Sequence, residues 1–244
     1  MDPFEIAAQN FKHHLSENRY PGRGLVIGRS SGGDAWVQVY WIMGRSTHSQ
    51  NRRFVVDGPV LRTEPVDAGL VQDPSLIIYE GMLELPGVYL VSNGDQTRTI
   101  CEALQVGGTF DGALGTRERE PDPPHYTPRI SGMLALQPPA SLALSLLKAN
   151  PADPEQTDRF TYRPALPLPG LGFGLTTYMG DGSPLPSFVG DPLLLPCTGS
   201  AEAILGAYWD ALNADTRVSL AVKWIAAKGG VGRIIVRNRF GDTE

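Results

Sequence analysis

The sequence specifies an α+β fold built mostly from antiparallel sheets. β-Branched and aromatic stretches come in pairs separated by glycine or proline turns, and segments with helical apolar spacing interrupt these sets rather than alternating with single strands. No linker, internal repeat or low-complexity tract divides the 244 residues. Strands joined by tight turns pair antiparallel, and helices inserted between such sets place two sheets face to face with helices outside.

Phe4, Ala7, Ala8, Phe11 and Leu15 recur at helical spacing before the break NRYPGRG, which predicts an amphipathic first helix. GLVIGRS and AWVQVYWIMGRS are strands about the turn SGGD, and SLIIYEGML with GVYLVSNG form a second hairpin across ELPG. TRTICEALQVG and FDGALGT are helical by spacing. EREPDPPHYTPR, with four prolines, is an extended loop. ISGMLAL, SLALSLLKAN, RFTYRP and LGFGLTTYMG supply further strands. SAEAILGAYWDALN gives a last helix before RVSLAVKWIAA and GRIIVRN close as a hairpin over KGGV.

The length suits one large domain or two small ones, and we expect a single domain over 1–244 with residues 1–19 as an amino-terminal helical extension. A net charge of −5 and a pI near 5.4 argue against nucleic acid or an acidic membrane as partner. Cys101 and Cys197 stand in unrelated contexts, so neither a disulfide framework nor a CxxC motif is present. No signal-peptide core and no run of about eighteen apolar residues occurs. The expectation is a reduced, cytoplasmic chain that is not membrane-bound. Apolar strand ends such as VQVYWIM could associate through exposed edges into a homo-oligomer.

WIMGRSTHSQNRRF runs from apolar alternation into arginines, hydroxyls and amides. Arg45 and Arg52 with Ser46 and Asn51 could converge on a phosphate, and Arg23 in YPGRG joins them because its strand pairs with the one leading to Arg45. The same composition suits a solvated loop with weak surface pairs. LVSNGDQT ends a strand in Asn93-Gly94, which could contact a ligand or simply make a turn. Tyr79 could donate a hydrogen bond or cover a core edge. In the stiff loop REREPDPPHYTPRI, Glu118, Glu120 and Asp122 lie among Arg117, Arg119 and Arg129, either poised for chemistry or as a solvated charge run. His125 could act as a base. GxGxxG, Walker, HExxH and GxSxG signatures are missing, which points to a site without metal or redox cofactor.

Taken together, YPGRG, GRSTHSQNRRF, IIYEG, LVSNGDQT and HYTPRISG resemble, in order and spacing, the archaeal-type inosine monophosphate (IMP) cyclohydrolases and their bacterial relatives over residues 20 to about 132. LTTYMGDGSPLPSFVGDP extends the likeness more loosely toward residue 196. The resemblance implies a four-layer α-β-β-α sandwich similar to the N-terminal nucleophile hydrolases. It also implies a cofactor-free activity, dehydrative closure of 5-formamidoimidazole-4-carboxamide ribonucleotide to IMP in purine biosynthesis. The alternative is a purine-nucleotide-binding protein of the same fold without turnover. The start Met-Asp offers no amino-terminal nucleophile, so covalent catalysis is not expected.

By motif position the resemblance assigns Arg23, Arg45, Ser46, Asn51, Arg52, Asn93, Gly94 and Thr127 to substrate binding. Tyr79, Glu120 and Arg129 fall to catalysis: Tyr79 as hydrogen-bond donor, Glu120 for proton transfer, and Arg129 placing the loop or the oxyanion. Three departures stand out. The family pattern has Asn where this chain has Glu80, Glu118 and Glu120 could exchange roles, and no active-site lysine can be matched in the second half.

Overall fold

The computed structural model describes residues 2–71 and 77–240. Asp2 caps helix α1 (Pro3–Phe11) by accepting from the Phe4 amide, with Pro3 in the first turn, where its missing N–H costs nothing. A π-helical turn, Lys12–Ser16, carries the buried Leu15 into the core. Strands β1 (Gly24–Arg29) and β2 (Ala35–Met43) follow as the expected hairpin, with Gly24 opposite Trp41.

All nine residues of β2 are buried. It lies inside a six-stranded antiparallel sheet of order β11-β10-β1-β2-β12-β13, where β10 is Leu171–Thr176, β11 Leu193–Pro196, β12 Arg217–Ala226 and β13 Arg233–Asn238. This corrects the expectation that VQVYWIM offers an exposed edge: β1 and β12 occupy both sides of β2. A continuous apolar run marks a strand covered on both faces.

A seven-stranded antiparallel sheet has the order β3-β4-β5-β6-β7-β8-β9. Its strands are β3 (Arg53–Asp57), β4 (Val60–Glu64), β5 (Glu80–Leu85), β6 (Val88–Ser92), β7 (Arg129–Ala135), β8 (Ser141–Ala149) and β9 (Thr157–Tyr162). The β3–β4 hairpin and the short β11 go beyond the strands that the sequence predicts. The expected strand SLIIYEGML begins only at Glu80, and its Ser75 and Leu76 lie outside the described residues.

The sheets pack face to face on a shared apolar core, with Ile27 and Val39 from one meeting Ile130, Leu144 and Met82 from the other. Each such fully buried side chain contributes about 1.5–3 kcal/mol. Helices α1 and α5 (Ala201–Ala211) cover the six-stranded sheet. Helices α3 (Gln96–Gln105) and α4 (Phe110–Gly115) cover the other through a second cluster around Leu90, Ile100 and Phe110. Toward one end of the interlayer Lys223 is fully buried against Glu84, with its ammonium donating to the Pro59 carbonyl. The opposite end, where β2 finishes and β5 begins, is hollow. No described helix is long and apolar enough to cross a membrane.

Candidate active site

A cavity of about 360 Å³ opens between the two sheets at that end. The six-stranded sheet contributes residues just before β1, just after β2 and just after β10. The seven-stranded sheet contributes those ahead of β5 and β7. Arg23, Arg45, Ser46, Arg52, Glu120 and Thr127 all line it.

Arg23 is the inner cation. Its Nη2 donates to Glu120 Oε2 at 2.8 Å and its Nη1 to the Asn93 carbonyl at 2.9 Å, with both charged side chains buried. Burial pulls the Arg23 pKa down, but the Glu120 carboxylate and then Tyr79 reverse this and hold it well above its ordinary value. The YPGRG turn sets its position. Gly22 has φ +70, and a Cβ there would fall 2.2 Å from Thr177 Oγ1, so only glycine lets the chain lie against Thr177 and Tyr178.

Tyr79 does not line the cavity. It is 4 % exposed, and its hydroxyl lies 2.7 Å from that of Tyr40 on β2. Burial, then Tyr79, holds the Tyr40 phenol well above its usual pKa. The two hydroxyls pair with each other behind the cavity wall.

The mouth is cationic. Ser46 caps the single turn α2 (Thr47–Gln50) in a reciprocal capping box with Ser49, and this turn brings Arg45, Ser46 and Ser49 onto one rim. Buried Arg52 donates to the Ser49 carbonyl at 2.9 Å and to that of Met43 at 3.4 Å. Arg45 stacks on the Tyr20 ring and pairs with Asp181 at 2.6 Å, both partly solvated. A solvated pair of this kind is weak and exchangeable.

A third wall is a chain of hydroxyls. The Thr127 amide donates to Asp122 Oδ1 at 2.6 Å, its Oγ1 donates to Asp122 Oδ2, and Oγ1 lies 2.6 Å from the Tyr178 hydroxyl. Burial raises the Tyr178 pKa well above its usual value, although Thr127 and Arg23 oppose this.

The family model for IMP cyclohydrolase-like proteins matches residues 20–229. The chain belongs to the IMP cyclohydrolase-like family. Comparison with curated proteins finds no match. The matched region runs past the likeness read from the motifs, through α5 and β12, and starts at Tyr20, after the first helix.

Within this family framework several motif residues lie behind the cavity rather than on it. Asn93 is fully buried and is not part of a hairpin turn: it follows β6 in the connection to α3. Its amide donates to the Pro128 carbonyl, its Oδ1 accepts from the Ile130 amide and from Gln96, and its carbonyl receives Arg23. Arg129 donates to Gln96 Oε1 at 2.7 Å and Asp95 at 2.8 Å, and Gly94 lies so close that a Cβ would fall 2.6 Å from Arg129 Nη1. A continuous line, Arg129–Gln96–Asn93–Arg23–Glu120, therefore braces the inner ion pair. Asn51 is exchanged with the Asp67 backbone in two bonds of 2.7 Å and fastens the rim loop instead of lining the hollow.

The two loop glutamates separate cleanly. Glu120 lines the cavity, while Glu118 is exposed and bound by Thr157 and Arg159, which lower its pKa. Glu80 pairs outward with Arg98. His125 lines the cavity, and its Nδ1 accepts from the Leu185 amide at 3.1 Å. No lysine among the described residues lines the cavity. Among the described residues no cluster of His, Cys, Asp or Glu could hold a metal ion. Sequence reasoning passed over Tyr20, Tyr40, Tyr178 and Gln96. Tyr20 and Tyr178 stand inside quoted motifs, whereas Tyr40 is hidden in an apolar strand.

Proposed function

We propose that the protein closes 5-formamidoimidazole-4-carboxamide ribonucleotide to IMP with loss of water, as a cytoplasmic step of purine biosynthesis. The observation that carries this reading is the buried Arg23–Glu120 pair at the inner end of a cavity whose mouth holds Arg45, Arg52 and Ser46. An anionic tail fits the mouth and an uncharged heterocycle the inner end.

The carboxamide nitrogen attacks the formyl carbon, forming the C–N bond that closes the ring. One proton leaves that nitrogen and one leaves the formamide nitrogen, and the formyl oxygen carries both away as water. Both reactants are tethered to one imidazole, so orientation supplies much of the acceleration. Arg23 faces the developing oxyanion and Glu120 takes the nitrogen proton. Tyr79, tied to Tyr40, supports the inner end from behind the wall, while Arg129, Asn93 and Gly94 keep the Arg23 guanidinium in place. Arg45, Arg52 and Ser46 hold the phosphate, with Asp181 displaced from Arg45. The same sandwich class includes the N-terminal nucleophile hydrolases, but this chemistry requires no covalent intermediate.

The test is conversion of the formylated ribonucleotide to IMP by purified protein, followed by absorbance. Glu120→Gln is expected to lower kcat by at least about 100-fold, in the range of positioned acid–base groups, and Tyr79→Phe by about tenfold. Binding of IMP without any turnover by folded wild type would overturn the catalytic reading and leave a nucleotide-binding protein.

A further inference from the structure

We propose that Tyr178 is a specificity-determining acceptor, locked by Thr127 and Asp122 so that it presents only lone pairs to the cavity and selects a purine ribonucleotide offering a ring or carboxamide N–H. This deepens the reading of the same site given above and rests on it.

The argument is one of hydrogen-bond direction. An ionised carboxylate accepts and cannot donate. Asp122 takes the Thr127 amide on one oxygen and the Thr127 hydroxyl on the other. That hydroxyl has a single proton, so its 2.6 Å contact with Tyr178 must be one in which the phenol donates. The Tyr178 proton is thereby consumed inside the wall, and what remains for a ligand is acceptor capacity.

Two further features fix this arrangement. The Tyr178 ring stacks on Tyr20 with centroids 6.0 Å apart and 23° between planes, which sets the direction of its C–O bond. Burial keeps the group a neutral phenol, so it does not become a charged base at working pH. IMP carries a proton on N1, and its open precursor carries two on the carboxamide nitrogen. An acceptor here welcomes both, and it turns the carboxamide so that its nitrogen rather than its oxygen faces this wall. A ring whose N1 bears a lone pair meets lone pairs instead.

Asp122→Asn reverses the direction. The Thr127 amide still needs the side-chain oxygen, so the new NH2 faces Thr127 Oγ1, which must then donate to Tyr178, and the phenol proton turns into the cavity. The experiment is calorimetric titration of wild type, Asp122→Asn and Tyr178→Phe with IMP and with purine riboside 5′-monophosphate, which lacks the 6-oxygen and the N1 proton. Each protein is scored by the ratio of the two affinities, which an inactive fraction does not distort. Wild type is expected to favour IMP, Asp122→Asn to cut that preference by about tenfold or invert it, and Tyr178→Phe to reduce it. An unchanged ratio in both variants, with IMP still bound, overturns this proposal alone. Failure of wild type to bind either nucleotide overturns it together with the proposed function. If Asp122→Asn does not fold, the Tyr178→Phe ratio decides.

Discussion

Arg23 makes the demands on its surroundings that most of the site exists to meet. A buried guanidinium must be paired, and removing one member of such a pair strands the other's charge, at a cost of about 3–5 kcal/mol. Arg23→Met should therefore lower the unfolding free energy read from urea titration by that amount, whereas adding Glu120→Gln to it should restore most of the loss. Equal destabilisation by the single and double variants would show that the pair is not the unit of stability. The residues behind Arg23 show what the sequence could and could not reveal. LVSNGDQT announced Asn93, but nothing in its spacing said that the side chain would cross to Pro128 and Ile130 or that Gln96 would tie it to Arg129. Contacts between segments more than thirty residues apart are a property of sheet register, which composition does not carry. Arg45 and Arg52 were conspicuous because so donor-rich a stretch has no use in a core.

Among the elements, those with a clear local pattern were the most legible: α1, α3 and α5 follow from helical apolar spacing, and the β1–β2 hairpin from apolar strands flanking a glycine turn. The β3–β4 hairpin was opaque because RFVVD and VLRTE carry charges that break the apolar pattern and find their partners only once the strands pair, Arg53 with Glu64 and Arg62 with Asp57. β11 is four residues long and ends in proline. The rim turn α2 depends on Ser46, and Ser46→Ala should destabilise the protein by about 1 kcal/mol and weaken IMP binding, as read by thermal melts with and without nucleotide. At the start of α3, burial would raise the Asp95 pKa, but bonds from Arg117 and Arg129 outweigh it and hold it below the ordinary value of 3.8. A lowered carboxylate pKa stabilises the fold above the unfolded value and ceases to do so as pH falls through the folded one. Asp95→Asn should thus melt lower than wild type at neutral pH, and the gap should shrink once the pH drops below about 3.8.

Taken as a whole, the protein buries phenols throughout its core. Burial is the first cause of the raised pKa values of Tyr20, Tyr40, Tyr178 and Tyr208. A group whose folded pKa is raised contributes stability below its unfolded value, near 10, that is lost as pH climbs through the folded one. Stability should fall steeply above about pH 10, and tyrosinate absorbance should lag and then appear with cooperative unfolding. Gradual ionisation while the fold persists would contradict the burial described.

The hollow draws Arg23 and Tyr178 from one sheet and Glu120 and Thr127 from the other. A nucleotide seated there would work as a rivet through two plates: it can be gripped only when both are assembled, and once gripped it resists their parting. At a hundredfold excess over Kd such a rivet adds about 2.7 kcal/mol, so the temperature at which the plates come apart becomes a gauge of what fits the hole.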